Sequence, residues 1–304
     1  MCAIEINHEP LMSKLTSLKL GGRAIAELVL TDENDVFLLP DLVKKFGVEV
    51  KAIGRGTNIL CRDSKQLLPF VLLRSNFNTV PFILKNNESE QGDNIAFVKV
   101  SASCKLPVLL SFFARNNLSG LEGLAGVPGN VGGAVAMNAG SYGDEIAKCL
   151  HSVMIFSFER GLEVLEKADF ECSYRSFKIK QNINKQFFMI LNAVFKMNIS
   201  DKNSITAKMQ ECLLKKHQTQ PVKANSAGCL FKNPVLNSAG KLLDEAGFRG
   251  KELGGMAFSE LHANFLINKG EGTSEQAFEL IGLAKDEIKK RYNIELETEV
   301  KIFP

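Results

Sequence analysis

The spacing of apolar residues changes several times along the chain, and each change marks an element. Across residues 36–46 they recur at mixed helical spacing, and residues 48–53 then alternate as a strand does, so the opening region reads as a helix feeding a strand. A loop is expected over residues 54–63. Residues 85–94 are polar and read as a surface hairpin or linker, a candidate boundary. The strand pattern resumes over 95–100, and Leu106, Leu109, Leu110 and Phe113 form a helical stripe ending before Gly120. Residues 153–158 and 187–195 predict two more strands, and 207–217 a helix with a basic end. Farther on, Thr273 and Gln276 make a capping box ahead of a helix whose apolar face is Ala277, Ile281, Ala284 and Ile288. Finally, Ile294, Leu296, Val300 and Ile302 alternate with Glu295, Glu297, Glu299 and Lys301, which predicts a strand with one apolar and one acidic face. Aligned carboxylates repel unless water, cations or a site separates them, so pattern alone leaves a solvated edge and a functional face both open.

A length of 304 residues exceeds one ordinary core and predicts two or three subdomains of roughly 100 residues. With 45% hydrophobic and 23% charged residues the composition is that of a folded globular chain rather than a disordered one. A net charge of +3 is too small to imply a nucleic-acid partner, though it leaves room for a local basic pocket. Residues 1–12 lack a basic stretch followed by an apolar one, and no apolar run approaches the roughly 18 residues a membrane span needs. The seven cysteines are dispersed, odd in number and never spaced as C-x-x-C, which fits a reduced cytoplasmic protein. Four scattered histidines give no ligand-spaced cluster, so no metal is expected.

Two glycine-bearing stretches carry the candidate chemistry. In Gly54-Arg55-Gly56-Thr57-Asn58-Ile59 an apolar strand runs into two glycines beside a hydroxyl and an amide, which suits close backbone approach to a pyrophosphate. It lacks the G-x-G-x-x-G spacing of a dinucleotide turn, and taken alone a glycine-rich turn without ligand is the plainer reading. The second stretch holds eight of the chain's 24 glycines between residues 120 and 143, which is more than a structural turn requires. Its centre, Gly126-Val127-Pro128-Gly129-Asn130-Val131-Gly132-Gly133, would let successive backbone N–H groups face one anion.

Taken in order, GRGTNILCRD, GLEGLAGVPGNVGGAVAMNAGSYGDE, QPVKANSAGCLFKNP, AGKLLDEAGFRGKELGGMAFSELHANFLIN and LETEVKIF resemble the UDP-N-acetylenolpyruvoylglucosamine reductases in their compact form. The resemblance implies an α+β fold: a two-part FAD-binding region of the PCMH/vanillyl-alcohol-oxidase type over residues 1–84 and 85–204, and a substrate-binding domain over 205–304. It implies bound FAD, NADPH as co-substrate, a UDP-sugar enolpyruvyl ether as substrate, and a monomer in the cytoplasm making peptidoglycan precursor. Gly54, Arg55, Gly56, Thr57, Asn58 and Ile59 would meet the flavin pyrophosphate, together with Gly126, Pro128, Gly129, Val131, Gly132 and Gly133. Ser141 and Tyr142 sit beside that loop, as cofactor contacts or as ordinary turn residues.

In the family's reaction NADPH reduces FAD, and hydride then passes to the enolpyruvyl group, leaving carbanion character beside a carboxylate. That charge must be stabilised and then protonated. By resemblance Arg175, of the Tyr174-Arg175 pair, is the carboxylate clamp, because a guanidinium matches a carboxylate bidentately. Ser176 and Phe177 follow at once, where the family spaces them two and four positions on, so this loop is expected to be short. Glu299 matches the second glutamate of the Leu-Glu-x-Glu-Val ending and would hydrogen-bond the developing enolate. Thr298 stands where proline is common between those glutamates, which frees one N–H for a sheet. Cys229 stands where the family usually has serine and would be the proton donor, since a thiol, with a reference pKa of about 8.5, gives up its proton more readily than a hydroxyl. Tyr174, Lys232 and Asn233 would contact substrate, with turn chemistry ahead of Pro234 the alternative for the last two. His262 is expected to be a buried, hydrogen-bonded residue rather than a catalytic one. A flavin oxidase of the same architecture and a non-catalytic flavin-binding protein are the rival readings.

Overall fold

The computed structural model describes residues 4–77, 80–84, 94–180 and 187–304, and the chain forms two compact units. The predicted linker at 85–94 lies, except for Asn94, outside the described residues, as does Cys2. The first unit draws on the described parts of Met1–Asn7, Ala26–Gly54 and Phe70–Lys215, the second on His8–Ile25, Arg55–Pro69 and Lys216–Pro304.

Two larger sheets lie wholly or mainly in the first unit. One has four strands in the order Glu5–His8, Ala24–Leu30, Leu68–Ser75, Glu49–Ala52, the last two parallel. The other runs Gly161–Glu166, Leu150–Ser157, Phe188–Ile199, Ile95–Ser101, Phe82–Ile83, all antiparallel, with Leu118–Ser119 against the long central strand. The helix Leu106–Arg115 lays the predicted stripe, Leu106, Leu109, Leu110 and Phe113, into the core of this second sheet, together with Val131 and Val135 of the short helix Val131–Ala136. Residues 36–46 are less regular than the periodicity predicts: a 3₁₀ turn, Glu33–Leu38, runs into the helix Leu39–Lys44. Asp32 explains the early start, since it caps that turn reciprocally with Asp35.

The second unit contains a four-stranded antiparallel sheet in the order Asn225–Cys229, Phe265–Asn268, Met256–Phe258, Glu252–Leu253. Its core joins these strands to the helices Ala239–Glu245 and Ser274–Tyr292. The capping box of Thr273 and Gln276 forms as predicted, and Ala277, Ile281, Ala284 and Ile288 face inward. Residues 54–63 are not all loop, because Ile59–Cys61 pairs in parallel with Lys301–Phe303. That pairing also corrects the long strand expected at the end of the chain. Among residues 294–300 only Thr298 makes a bridge, to Phe231, and regular strand begins at Lys301. Leu296 and Val300 are buried, but the chain bends at Glu299 and Val300 and shifts phase, so Ile302 is exposed and Phe303 buried. The two hydrogen bonds around that bridge come from the N–H groups of Lys232 and Glu299, so Thr298 supplies neither. Among the described residues no helix is long and apolar enough to cross a membrane, and no group of three or more metal-ligating side chains gathers.

Candidate active site

In the first unit Gly54 stands beside the second glycine stretch: a side chain added there would reach 3.7 Å from the Asn130 Cβ. Gly126 and Gly129 have φ of +80° and +112°, backbone that favours glycine. A segment that sequence reasoning passed over braces the loop. Leu106 N–H donates to Gly129 O (3.0 Å), Val131 N–H to Cys104 O (2.9 Å) and Gly132 N–H to Ala102 O (2.9 Å). The run of N–H groups facing one anion is therefore interrupted at Val131 and Gly132. Packing accounts for Gly132, since its Cβ would fall 2.8 Å from that of Ala102.

Gly133 is different. It lies exposed in the helix Val131–Ala136, with nothing within 4 Å of where its side chain would be. Glycine inside a helix costs about 0.5–1 kcal/mol relative to alanine, and no neighbour in the protein requires it here. The Asn130 Oδ1 is buried with no hydrogen-bond partner. An open cradle and an orphaned acceptor are what a flat, hydrogen-bonding cofactor resting on this loop would use. Pro128 is exposed at the same loop, whereas Val131 is fully buried and turned to the core.

Arg55, Gly56, Thr57, Asn58 and Ile59 belong to the second unit. Gly56, at φ +62°, is required by the fold itself, because its Cβ would sit 2.1 Å from Leu15 O. Ile59 is buried and Arg55 exposed. Asn58 ties this loop to the end of the chain: its main-chain oxygen accepts from Lys301 N–H (3.0 Å) and its Nδ2 donates to Glu299 O (3.3 Å).

Arg175 also sits in the first unit, in a tight hairpin. Phe170–Ser173 pairs with Ser176–Ile179, leaving Tyr174 and Arg175 as a two-residue turn. Arg175 takes the left-handed conformation (φ +55°), its guanidinium 5.1 Å from the Tyr174 ring centre and its Nη1 3.2 Å from where a Gly140 Cβ would be. A larger residue at 140 would crowd that guanidinium. Asn138, 1% exposed, fastens the turn: its Nδ2 donates to Ser173 O (3.0 Å) and to Glu145 Oε2 (3.2 Å), and its Oδ1 accepts from Ala147 N–H (2.9 Å). Ser141 pairs with Asp144, and Tyr142 and Gly143, at φ +47° and +84°, make the primed turn between them.

A buried acid, Glu122, and a half-buried one, Asp144, anchor the start of the glycine stretch. Glu122 accepts from Gly120 N–H and Asp144 from Gly123 N–H (2.7 Å), while Lys208 Nζ bridges them at 3.3 and 3.0 Å. Burial, then the Asp144 and Glu122 charges, pushes the nearby Cys149 thiol up to about 11, which keeps it neutral.

In the second unit Cys229 ends its strand, half-buried, after a slip in register at Gly228 (φ +81°). The next residue joins it to Glu299, whose N–H donates to Leu230 O (2.8 Å). The three carboxylates of the predicted acidic face are separated: Glu295 meets Lys289 Nζ at 3.0 Å, Glu297 meets Lys232 Nζ at 2.5 Å, and Glu299 is half-buried. Asn233 does turn chemistry, its Oδ1 accepting from Ala239 N–H (3.0 Å) at the start of a helix. His262 accepts at Nδ1 from Asn264 N–H (3.2 Å) and packs edge-on against Phe265. Burial, then the charge of Arg249, pulls its pKa below the usual histidine range, as suits a structural imidazole.

Residues 220–303 match the family described as UDP-N-acetylenolpyruvoylglucosamine reductase, C-terminal domain, and residues 25–162 match the family described as FAD binding domain. The UDP-N-acetylenolpyruvoylglucosamine reductase of Nitratidesulfovibrio vulgaris is 44% identical over 98% of this chain and 98% of its own. The Bacillus subtilis protein of the same name is 32% identical over 97% and 92%. The crystal structure of UDP-N-acetylenolpyruvylglucosamine reductase from Thermus caldophilus superposes with a TM-score of 0.79 at 28% identity, covering 99% of this chain and all of that one.

Proposed function

The chain belongs to the UDP-N-acetylenolpyruvoylglucosamine reductases, and from that premise we propose that it uses NADPH to reduce UDP-N-acetylglucosamine enolpyruvate to UDP-N-acetylmuramate, in the cytoplasm, for peptidoglycan precursor synthesis. FAD is the bound cofactor, held on the second glycine stretch at Gly126, Pro128, Gly129 and Gly133, with Gly54 beside it. When bound it relays a hydride from NADPH to the enolpyruvyl carbon. The observation that carries this reading is Gly133, a helical glycine whose missing side chain no protein atom explains but a flavin at the loop would.

The protein's own groups then manage charge and proton. Arg175 binds the carboxylate of the enolpyruvyl ether, beside Tyr174, in a turn whose backbone is held by Asn138. Glu299 stabilises the negative charge that develops next to that carboxylate. Cys229 gives its thiol proton to the carbon bearing the charge, and solvent returns a proton to the sulfur. Lys232 and Asn233 line the substrate side of residues 205–304. The backbone bond between Leu230 and Glu299 supports a joint role for the thiol and the carboxylate.

Anaerobic titration tests both halves of this reaction. NADPH should bleach the visible flavin band, and UDP-N-acetylglucosamine enolpyruvate should restore it without oxygen. Bleaching by an alcohol donor with return only on aeration would replace this reading with that of an oxidase.

A further inference from the structure

Two rows of hydrogen bonds converge on the three residues after Cys229. On one edge Leu230 N–H donates to the main-chain oxygen of Asn264 (2.7 Å), while the Asn264 side chain accepts from Phe231 N–H (2.9 Å) and donates to Phe231 O (2.8 Å). On the other edge Glu299 N–H donates to Leu230 O (2.8 Å) and Lys232 N–H to Glu297 O (2.9 Å). One side-chain amide thus serves Phe231 as a neighbouring strand would. The sheet itself has run out there, because Cys229 opposite Phe265 is its last pair after the slip at Gly228. Asn264 is 2% exposed and Phe231 1%, so water offers no substitute partner.

We infer that Asn264 is a positioning residue for the proton-transfer half of the reaction: it fixes the backbone from Cys229 to Lys232 and, through the Leu230 carbonyl, that of Glu299. The inference rests on the roles proposed above for Cys229 and Glu299. The side chain must both accept and donate, which an amide does at every working pH, since Phe231 presents a donor and an acceptor to it. Asn264→Asp keeps the shape but turns a carboxylate oxygen on the Phe231 carbonyl. Burial and that carbonyl both raise the pKa of such a carboxyl, so the protonated form that can donate is regained as pH falls and lost as pH rises. Asn264→Ser removes both bonds without adding charge.

The test compares the two half-reactions in the flavin-loaded protein, with Cys229→Ala and Glu299→Gln alongside. In Asn264→Ser, bleaching by NADPH should match the parent, and return of colour with substrate should slow on the order of 10²-fold, the loss expected from a displacement of about 1 Å. The loss should fall on kcat more than on KM. Asn264→Asp should show the same defect near pH 8 and regain rate toward about pH 6, relative to the parent, whereas Asn264→Ser should not. Independently of turnover, alkylation of Cys229 by iodoacetamide, followed on its own peptide, should quicken several-fold in both variants as the strand loosens.

Parent-rate return of colour in Asn264→Ser, with Cys229→Ala and Glu299→Gln slow, overturns the inference and leaves the proposed roles standing. Parent-rate return in Cys229→Ala and Glu299→Gln removes those roles and the inference with them. Equal slowing of both half-reactions in Asn264→Ser makes Asn264 a residue of the fold alone, against the inference. If Asn264→Ser fails to hold flavin, the pH response of Asn264→Asp decides, and a profile parallel to the parent's overturns the proposal.

Discussion

The Tyr174-Arg175 turn and the segment after Cys229 are each held by one buried asparagine, but the two asparagines work differently. Asn138 spreads its bonds over three places, Ser173, Glu145 and Ala147, and the hairpin it steadies also has its own four-pair ladder. Asn264 spends its side chain on a single residue, Phe231, and its carbonyl on the neighbour, Leu230. A segment braced from several sides can lose one brace and stay roughly in place. Phe231 is held on the Asn264 edge by that one amide, so losing it frees Phe231 there while the bonds of Leu230 and Lys232 to Glu299 and Glu297 remain. Removing Asn138 should therefore register mainly as stability, and removing Asn264 mainly as chemistry.

The largest expected effect tests whether the second of these frames carries the reaction at all. Glu299→Gln keeps shape and backbone bonds but removes the acid function, and such groups typically contribute about 10²–10⁴-fold. Flavin content and NADPH bleaching should be retained while substrate-driven return slows by that order. Unchanged turnover would make Glu299 one more solvated carboxylate of its face.

Asn138→Ala probes the other frame. It removes the side-chain bonds to Ser173 O, which is exposed, and to Ala147 N–H, which is half-buried, at about 0.5–1.5 kcal/mol for each bond lost. Denaturant titration should show that loss, and substrate KM should rise more than kcat falls as the Arg175 turn loosens. A kcat collapse at constant stability would erase the contrast between the two asparagines.

The smallest effect is the cleanest to read. Gly133→Ala should stabilise the flavin-free protein by about 0.5–1 kcal/mol, since helix favours alanine and the site is open. Flavin content should nevertheless fall, because the added methyl enters the space assigned to the cofactor. Higher stability with full flavin content would take Gly133 out of the cradle.

Local chemistry was legible in the sequence. The capping box of Thr273 and Gln276, the inward face of its helix and the stripe from Leu106 to Phe113 follow from spacings within a few residues, and all appear in the fold. What sequence could not separate were neighbours with the same letter. Gly132 and Gly133 read alike, yet one is packed on Ala102 and the other is open. The three glutamates near the end also read alike, until Lys289 and Lys232 take two of them. Long-range pairing was invisible for a different reason. Ile59–Cys61 is too short an apolar run to announce a strand, and its partner lies most of the chain away. Asn264 offered a hint, a polar side chain ahead of a run of buried apolar residues, but which backbone it would serve depends on the slip at Gly228.

The division of the second unit into Arg55–Pro69, His8–Ile25 and Lys216–Pro304 bears on how the protein is made. Leu18, Leu20 and Leu60 leave the ribosome early, and each ends almost wholly buried among residues of the third segment. At about 5–20 residues per second, synthesis of the intervening chain takes on the order of ten seconds or more. Throughout that interval these leucines lack their partners from the third segment, and the parallel pair that closes the unit forms only after Phe303 has been added. High contact order of this kind slows the last step and leaves the early apolar residues open to aggregation until it is complete.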